Sequence, residues 1–410
     1  MSRLLRLLII LIPGFFLSII LIKLKSFSAP FVLISTLWFA LFLIASITEK
    51  KLSIKIILFN MAAIILIFGF FELYFWRVAI YKLTYHQSAA DPYRIEGIKY
   101  DPVEDDILGY ALRKNSSRTV KYYYNDKVIY NVKYTIDKNG LRISPPPRKL
   151  NAPAILFFGD SYTYGEGVND DETMPYLTGI YTAGEYAIYN FGIHGHGPQH
   201  MLAEIDHGIV DSVLTHKPQF AIYQAIPEHV ERLKGLYPWL MKGPHYTLNE
   251  NGEIIPSSIS IPLWTRIKDK IPLLARIEDH IVQKSFFYNT IDRRILTMKK
   301  SNNKDTREND VNTFVGVIDK SKNLLAKKYQ GIEFHVIFWD NSYSKDIIEA
   351  LEKKGIKIHK VSSILKSDDF WEFEKKSTPY RIPYDGHPSA LTHKIMARYV
   401  VNEIIERKTE

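Results

Sequence analysis

The 410-residue sequence predicts an α/β protein, a three-layer α/β/α core with a parallel sheet, preceded by transmembrane helices and a small β-rich collar. Three observations predict it. Long apolar stretches dominate the first 76 residues, a tyrosine-rich, turn-punctuated segment follows, and from Ala154 short apolar runs alternate with longer stretches of helical spacing. Strands buried on both faces lack polar alternation, and helices between them imply parallel pairing.

The apolar stretches are residues 4–22, 31–47 and 54–76. A helix rises about 1.5 Å per residue, so about 20 apolar residues are needed to cross a hydrocarbon core about 30 Å thick. The first and third meet that length; the second is slightly short but uncharged. Three in succession, apolar all round and with charges only between them, argue against core helices of a soluble protein. For the first stretch a cleaved signal peptide is the alternative, because Ser26-Phe27-Ser28 offers small residues. Lys23 and Lys25 stand between the apolar run and that site, which argues against cleavage.

Basic flanks orient the spans. Arg3 and Arg6 precede the first, and Lys50, Lys51 and Lys55 separate the second from the third. With both groups in the cytoplasm only Lys23 and Lys25 lie outside, the N-terminus is cytoplasmic, and everything after Trp76 is on the far side. In a bacterium the chain would then sit in the inner membrane with its large domain periplasmic or extracellular. The lipid bilayer is thus one expected partner. The formal net charge is +9, of which the seven Lys/Arg of residues 1–76, against Glu49 and Glu72, account for +5. What remains is spread over a large domain, so no nucleic-acid partner is expected. No cysteine occurs, which excludes a disulfide framework, a thiol nucleophile and a thiolate metal site.

Residues 77–150 form the expected collar. Two strands joined at Asn125-Asp126 are followed by a turn at Asn139-Gly140, and Pro145-Pro146-Pro147 marks a stiff boundary. The α/β domain then spans residues 151–407. Its candidate strands are 154–158, 187–191, 220–225, 333–339 and 356–358. Residues 198–215 read as one helix, with Met201, Leu202, Ile205, Ile209, Val213 and Leu214 on one face and Pro198 in the first turn. A similar helix over 390–405 closes the chain. An insertion over about 235–328 breaks the rhythm. It holds a hairpin signal at Asn251-Gly252 and a charged run, 299–310, that reads as a surface loop. It is a candidate substrate lid or docking surface, or alternatively an extra structural subdomain.

Two motifs carry chemistry. In Phe157-Phe158-Gly159-Asp160-Ser161-Tyr162-Thr163-Tyr164-Gly165-Glu166-Gly167 a serine follows a buried strand on a tight turn. Ligand sites gather at the carboxyl ends of parallel strands, and backbone N–H groups at a helix start can hold an oxyanion. The bland alternative is a helix N-cap. Near the other end, Tyr384-Asp385-Gly386-His387-Pro388-Ser389 offers a base for the serine hydroxyl and a carboxylate to fix its tautomer. Read alone, it is an exposed turn.

Together with Asn190-Phe191-Gly192-Ile193-His194-Gly195-His196-Gly197, these blocks resemble the SGNH/GDSL hydrolase superfamily over about residues 150–407, and Tyr134–Arg142 is similar to a lead-in often found upstream. The resemblance implies Ser161 as nucleophile, His387 as general base and acid, and Asp385 as its orienter. It also implies an oxyanion hole made in part by the backbone N–H groups of Ser161 and Gly195. One departure stands out: the family's third block offers an Asn side chain as a further donor, and here the region reads Tyr223-Gln-Ala-Ile-Pro-Glu228-His229, so His229 takes that role instead. His194, His196 and His200 have zinc-like spacing, but the glycines between them fit a tight strand-to-helix loop, so neither metal nor cofactor is expected. No Gly-x-Ser-x-Gly elbow exists, which weighs against the α/β-hydrolase fold.

The expected function is therefore that of an extracytoplasmic, membrane-anchored serine esterase or O-acyl(acetyl)transferase acting on cell-envelope carbohydrate. Transfer would need an acyl-donor partner protein. The alternatives are a lipid esterase, with Leu236, Tyr237, Trp239, Leu240 and Met241 near the bilayer, and a non-catalytic glycan-binding or assembly protein on a degraded SGNH fold.

Overall fold

The computed structural model describes residues 30–85, 92–235, 237–257, 304–341, 344–365 and 379–406. They fall into two compact units, residues 30–85 and the rest, each taken by itself below.

The first unit is a pair of apolar helices, α1 (Pro30–Thr48) and α2 (Leu52–Tyr85). Leu52–Tyr74 is long and apolar enough to cross a membrane, the one such stretch among the described residues. At about 1.5 Å per residue it reaches about 34 Å, whereas the apolar part of α1, Leu33–Thr48, reaches about 24 Å. The expected span over residues 4–22 lies outside the described residues. Ile56, Ile57, Phe59, Ile64, Leu66, Ile67 and Phe70 of α2 all point outward. Such a surface is costly in water and suits hydrocarbon. Where the helices meet, small residues alternate with large ones such as Phe42 and Leu58. Ala45 and Ala62 are buried, and a Cβ on Gly69 would meet Ser35 Oγ, so the glycine lets the backbones approach as in membrane helix pairs.

The second unit begins with the collar. Strands β1 (Tyr93–Glu96), β2 (Pro102–Asp105), β3 (Gly109–Leu112), β4 (Ser116–Tyr124) and β5 (Lys127–Ile136) make an antiparallel β1-β4-β5 sheet and a β2-β3 hairpin. Asn125 and Asp126, with φ of 46° and 61°, form the two-residue turn joining β4 to β5. Positive φ at both turn positions matches the twist of a hairpin, and Asn and Asp tolerate it better than most residues.

The α/β part follows. Its strands are β6 (Ala154–Gly159), β7 (Ala187–Gly192), β8 (Pro218–Ala225), β11 (Glu333–Phe338) and β12 (Lys357–Lys360); β9 (Tyr246–Leu248) and β10 (Ile254–Pro256) are the hairpin expected around Asn251-Gly252. The five pair in the order β12-β11-β8-β6-β7, all parallel. Every residue of β6 and β7 is buried, as the unbroken apolar sequence of β6 requires; in β7 the one amide, Asn190, is buried with its side chain hydrogen-bonded.

Helices cover both faces. Helix α3 (Ser161–Tyr164) is a single turn; α4 (Met174–Tyr181), α5 (Pro198–Asp206), α6 (Glu228–Arg232), α7 (Lys304–Lys328), α8 (Lys345–Lys353) and α9 (Ala390–Tyr399) complete the set used below. Alternate residues of β6 divide between two cores. Leu156 and Phe158 pack with Leu202 and Ile205 of α5 and Phe314 and Ile318 of α7, while Ile155 and Phe157 pack with Met174 of α4 and Met396 of α9. Burying one phenylalanine contributes about 1.5–3 kcal/mol, so the alternation fixes which helix lies on which face.

Two expectations differ. The helix expected over 198–215 breaks after Asp206, because Gly208 adopts φ +74° and a second short helix, Ile209–Val213, restarts beyond it. The charged run expected as a loop is helical from Lys304 onward. Its buried Val311, Phe314 and Val315 anchor the helix, and the polar first turns project from that anchor with Arg307 paired to Asp346 and Asp310 to Lys234.

Candidate active site

The turn after β6 is built by its sequence. Gly159 has φ +150°, and a Cβ there would lie 2.2 Å from Thr163 Oγ1 and 3.1 Å from the Gln224 carbonyl oxygen, so only glycine fits. Asp160 caps the short helix by accepting from the Tyr162 N–H at 2.9 Å. Ser161 therefore stands at the first position of α3, at the carboxyl edge of the sheet. The Gln224 side chain, at the end of β8, braces this turn, donating to Thr163 Oγ1 at 2.9 Å and accepting from Trp339 Nε1 at 3.0 Å. From β7, Asn190 Nδ2 donates to the Thr163 carbonyl at 3.2 Å, while its Oδ1 accepts from Gly192 N.

The loop before α9 brings its two expected residues to this turn. Ser161 Oγ lies 2.9 Å from His387 Nε2, and His387 Nδ1 lies 2.5 Å from Asp385 Oδ1. A carboxylate only accepts, so Nδ1 carries the proton and Nε2 is free to accept from the serine hydroxyl. Ser161, His387 and Asp385 are thus joined in hydrogen-bonded order from two ends of the domain. The collar holds the second loop. Tyr384 is strained at φ +61°, and its ring stacks on Tyr124 with centroids 3.7 Å apart. Tyr122 OH donates to the Tyr384 carbonyl, and Tyr130 OH donates to Asp385 Oδ2, both at 3.4 Å.

Sequence reasoning missed Glu166. This buried carboxylate accepts from His194 Nδ1 at 2.8 Å and from Tyr100 OH at 2.9 Å, and it pairs with Lys99 Nζ at 2.5 Å. Its Oε2 is 3.4 Å from His387 Nε2. Lys99 also reaches Asp385 Oδ2 at 3.3 Å. Burial alone would raise Glu166, but the charges of His387, His194 and Lys99 hold it well below the usual carboxylate range. Burial pushes His387 down; the charge of Glu166 and the hydrogen bond and charge of Asp385 outweigh it, and the imidazole is held above its ordinary value.

A second missed residue is Arg142, in the segment leading into the domain. Fully buried, its guanidinium donates to the carbonyls of Tyr164 (2.6 Å), Gly165 (2.5 Å), Val168 (2.7 Å) and Lys133 (3.3 Å) and pairs with Asp170 at 3.1 Å. It lies over the Tyr134 and Tyr164 rings, each 4.7 Å from the guanidinium carbon. The loop bearing Glu166 is therefore wrapped around Arg142.

The oxyanion expectations divide. The backbone N–H groups of Ser161 and Gly195 donate to nothing among the described residues, and Gly195, at φ +76°, passes Tyr110 OH and the half-exposed Trp239 with no room for a side chain. His229 is turned elsewhere. Its Nε2 donates to Asp160 at 3.2 Å and its Nδ1 accepts from Tyr223 OH at 2.6 Å, which leaves no ring N–H for an oxyanion. The correction is physical: a wholly buried imidazole next to a buried carboxylate pairs with it. Arg232 Nη1 joins the same carboxylate at 2.8 Å and also donates to the His196 carbonyl at 2.7 Å. Against the cost of burial, Arg232 and then His229 hold Asp160 ionised.

Nor do the three histidines of zinc-like spacing point ligand atoms at one place, although the His196 and His200 rings stack with centroids 3.8 Å apart. His194 binds Glu166, His196 Nε2 donates to the Tyr110 carbonyl at 3.3 Å, and His200 Nδ1 accepts from Gly197 N at 3.1 Å. Among the described residues the only group of three or more potential ligand side chains is Glu166, Asp385 and His387, with ligand atoms within 4.8 Å of one another. Lys99 already sets a fixed ammonium between the two carboxylates, which disfavours a second cation. A cavity of about 680 Å³ opens behind the Asp385–His387 loop, lined by Tyr130, Gly167, Glu172, Arg381 and Ser389 among others. None of the three hydrogen-bonded residues lines it.

No family model matches the chain, and no curated protein does. Solved structures give low-identity likenesses. A lipolytic protein of the G-D-S-L family from Desulfitobacterium hafniense DCB-2 is 13% identical, with 60% of this chain and 97% of that one covered and a TM-score of 0.28. The acetyl xylan esterase Est2A from Butyrivibrio proteoclasticus is 12% identical, covers 71% and 74%, and scores 0.35. A carbohydrate esterase family 2 enzyme with its carbohydrate-binding domain from Corynascus thermopiles (Myceliophthora fergusii) is 12% identical, covers 68% and 72%, and scores 0.31. The likeness is to G-D-S-L and carbohydrate-esterase structures in general, and at these TM-scores the chemistry rests on the site's own geometry.

Proposed function

We propose that the chain is a membrane-anchored serine ester hydrolase or O-acyltransferase of the cell envelope. The observation that carries the reading is the hydrogen-bonded order Ser161–His387–Asp385, with 2.9 Å and 2.5 Å between the partners. Ser161 Oγ attacks an acyl ester while His387 Nε2 takes its proton. The resulting oxyanion is met by the N–H groups of Ser161 and Gly195; losing one such donor typically costs about 100- to 1,000-fold in rate. Collapse breaks the ester bond, His387 returns the proton to the leaving alcohol, and the acyl group stays on Ser161. Water then yields an acid, or a sugar hydroxyl yields a new ester, His387 serving as base in either case. The apolar helix α2 supports a place at the membrane, and the expected topology puts the site outside the cytoplasm.

Incubation of the full-length chain in detergent with 4-nitrophenyl acetate or a long-chain 4-nitrophenyl ester, with and without an oligosaccharide acceptor, tests this. Acetyl on the acceptor marks a transferase and free acetate a hydrolase, while release only from long-chain esters marks a lipid esterase. No acyl release from a folded chain sinks all three. The engagement of His229 with Asp160 favours one further reading, a glycan-binding protein without activity, because it removes the expected side-chain donor. Ser161→Ala leaving the cellular phenotype intact would support it.

A further inference from the structure

His387 has a second carboxylate beside it that the triad does not need. Glu166 Oε2 stands 3.4 Å from Nε2, on the serine side, while Asp385 holds Nδ1 on the other. Lys99 Nζ lies 2.5 Å from Glu166 and 3.3 Å from Asp385, so one ammonium ties together the carboxylates on both edges of the imidazole. Both acids are buried, and Glu166 is fixed further by His194 and Tyr100. We propose that Glu166 and Lys99 are positioning residues that set the charge of His387 in opposite senses, Glu166 favouring the imidazolium and Lys99 opposing it. This rests on the reading of His387 as the base for Ser161.

The distances give the direction. In the resting site Nδ1 carries the proton and the Nε2 lone pair accepts from Ser161 O–H. That lone pair faces Glu166 with no hydrogen between them, so the contact gains nothing. After the serine proton moves, Nε2–H points into a region that holds Glu166 Oε2 as well as the substrate. The attraction is made only in the state that proton transfer creates, and an interaction of that kind lowers a barrier rather than merely tightening the resting state. An unbalanced carboxylate there would also oppose a developing oxyanion. Lys99 offsets it.

Charged and titratable groups face His387 from every packed element. Asp385 and, through the Gly386 carbonyl, Arg381 come from its own loop, Tyr162 from α3 with ring centroids 5.5 Å apart, and Glu166 from the loop after α3. His194 follows β7, Tyr130 is on β5, Lys99 and Tyr100 lie between β1 and β2, and His393 on α9 is close enough to feel the His387 charge. Of the influences on His387, burial acts downward, Glu166 and then Asp385 act upward, and Lys99 acts downward. Glu166→Gln therefore moves the acid limb of a base-dependent rate to lower pH, and Lys99→Met moves it to higher pH. A residue that only props up the Gly165–Gly167 turn would change stability without moving either limb.

The test is the rate at which a fluorophosphonate labels Ser161 across pH 4.5–9 (a range of about the His and carboxylate titrations). Full-length wild type, Glu166→Gln, Glu166→Asp and Lys99→Met are compared in detergent, with folding checked by near-UV circular dichroism. Opposite displacements in Glu166→Gln and Lys99→Met, with Glu166→Asp returning toward wild type, are expected. Unmoved limbs, or limbs moved the same way, overturn the inference while leaving the triad standing. If Glu166→Gln does not fold, a Lys99→Met limb that fails to rise overturns it alone. Wild-type Ser161 that is never labelled removes the base reading and this inference with it.

Discussion

Arg142→Met tests whether the buried guanidinium organises the loop that carries Glu166. Methionine retains a flexible apolar stem but none of the donors. The carbonyls of Tyr164, Gly165, Val168 and Lys133 lose a partner at 2.5–3.3 Å, and the Asp170 carboxylate loses its cation at 3.1 Å. A buried group left without its hydrogen bond costs about 1–3 kcal/mol. Three of the carbonyls sit in one loop, the fourth is on β5, and they share donors, so their costs do not add fully, and about 4–6 kcal/mol is the expected total. A domain of this size loses about 2–4 °C per kcal/mol, which makes the expected fall in Tm about 10 °C or more. Thermal unfolding of the full chain in detergent, followed by near-UV circular dichroism of its tyrosines, reads it. Arg142→Lys should fall between, because a point ammonium cannot reproduce the planar fork. A Met variant melting within about 2 °C of wild type, a difference of about 1 kcal/mol or less, would refute the reasoning.

Three further outcomes are expected. Gly159→Ala forces a Cβ to 2.2 Å from Thr163 Oγ1 at a φ that disfavours side chains; Ser161 labelling should be lost and stability should drop by more than about 1 kcal/mol, which chemical denaturation measures. Asp160→Asn leaves Arg232 facing a neutral amide, and breaking a buried pair costs about 3–5 kcal/mol, so the variant should melt earlier and label slowly; normal labelling with a normal melt would contradict this. His393 is pushed down to about 3, first by burial and then by the Arg142 charge, and it accepts from Met174 N at 3.1 Å. Its folded value lies below its unfolded one, so the stability it contributes is fully present above about pH 6.5 and is lost as the pH falls toward about 3. His393→Asn keeps an acceptor and removes the titration, and it should flatten the decline in Tm between pH 6.5 and pH 4; an equally steep decline would show that His393 contributes nothing to it.

Much of the site was legible because its chemistry sits in local motifs. Ser161 follows an unbroken apolar strand, and Asp385 and His387 lie two residues apart before a helix. Glu166 was printed in the same motif as Ser161, between two glycines, but its partners Lys99, His194 and His387 come from three distant segments. Only the fold closes those distances. His229 shows the reverse failure. Its position after β8 suggested a donor, yet sequence cannot say which way a buried imidazole turns when a carboxylate and a tyrosine hydroxyl both compete for it. Two of the collar strands, β4 and β5, were readable on either side of the Asn125-Asp126 turn; the short β1, β2 and β3 were not. Nor was the collar's part in the site, because the stack of Tyr124 on Tyr384 and the reach of Lys99 to Asp385 are tertiary contacts between residues with no shared pattern. Gly208 ended a helix that apolar periodicity alone carried on to residue 215.

The central claim is that Ser161 is a nucleophile activated by His387. Its most direct test is mass-spectrometric mapping of a fluorophosphonate adduct on the full-length chain at neutral pH. The account predicts one adduct, on Ser161, slowed by about 100- to 10,000-fold in His387→Ala, the usual contribution of a general base. An adduct elsewhere, or one on Ser161 that forms equally fast without His387, would contradict it.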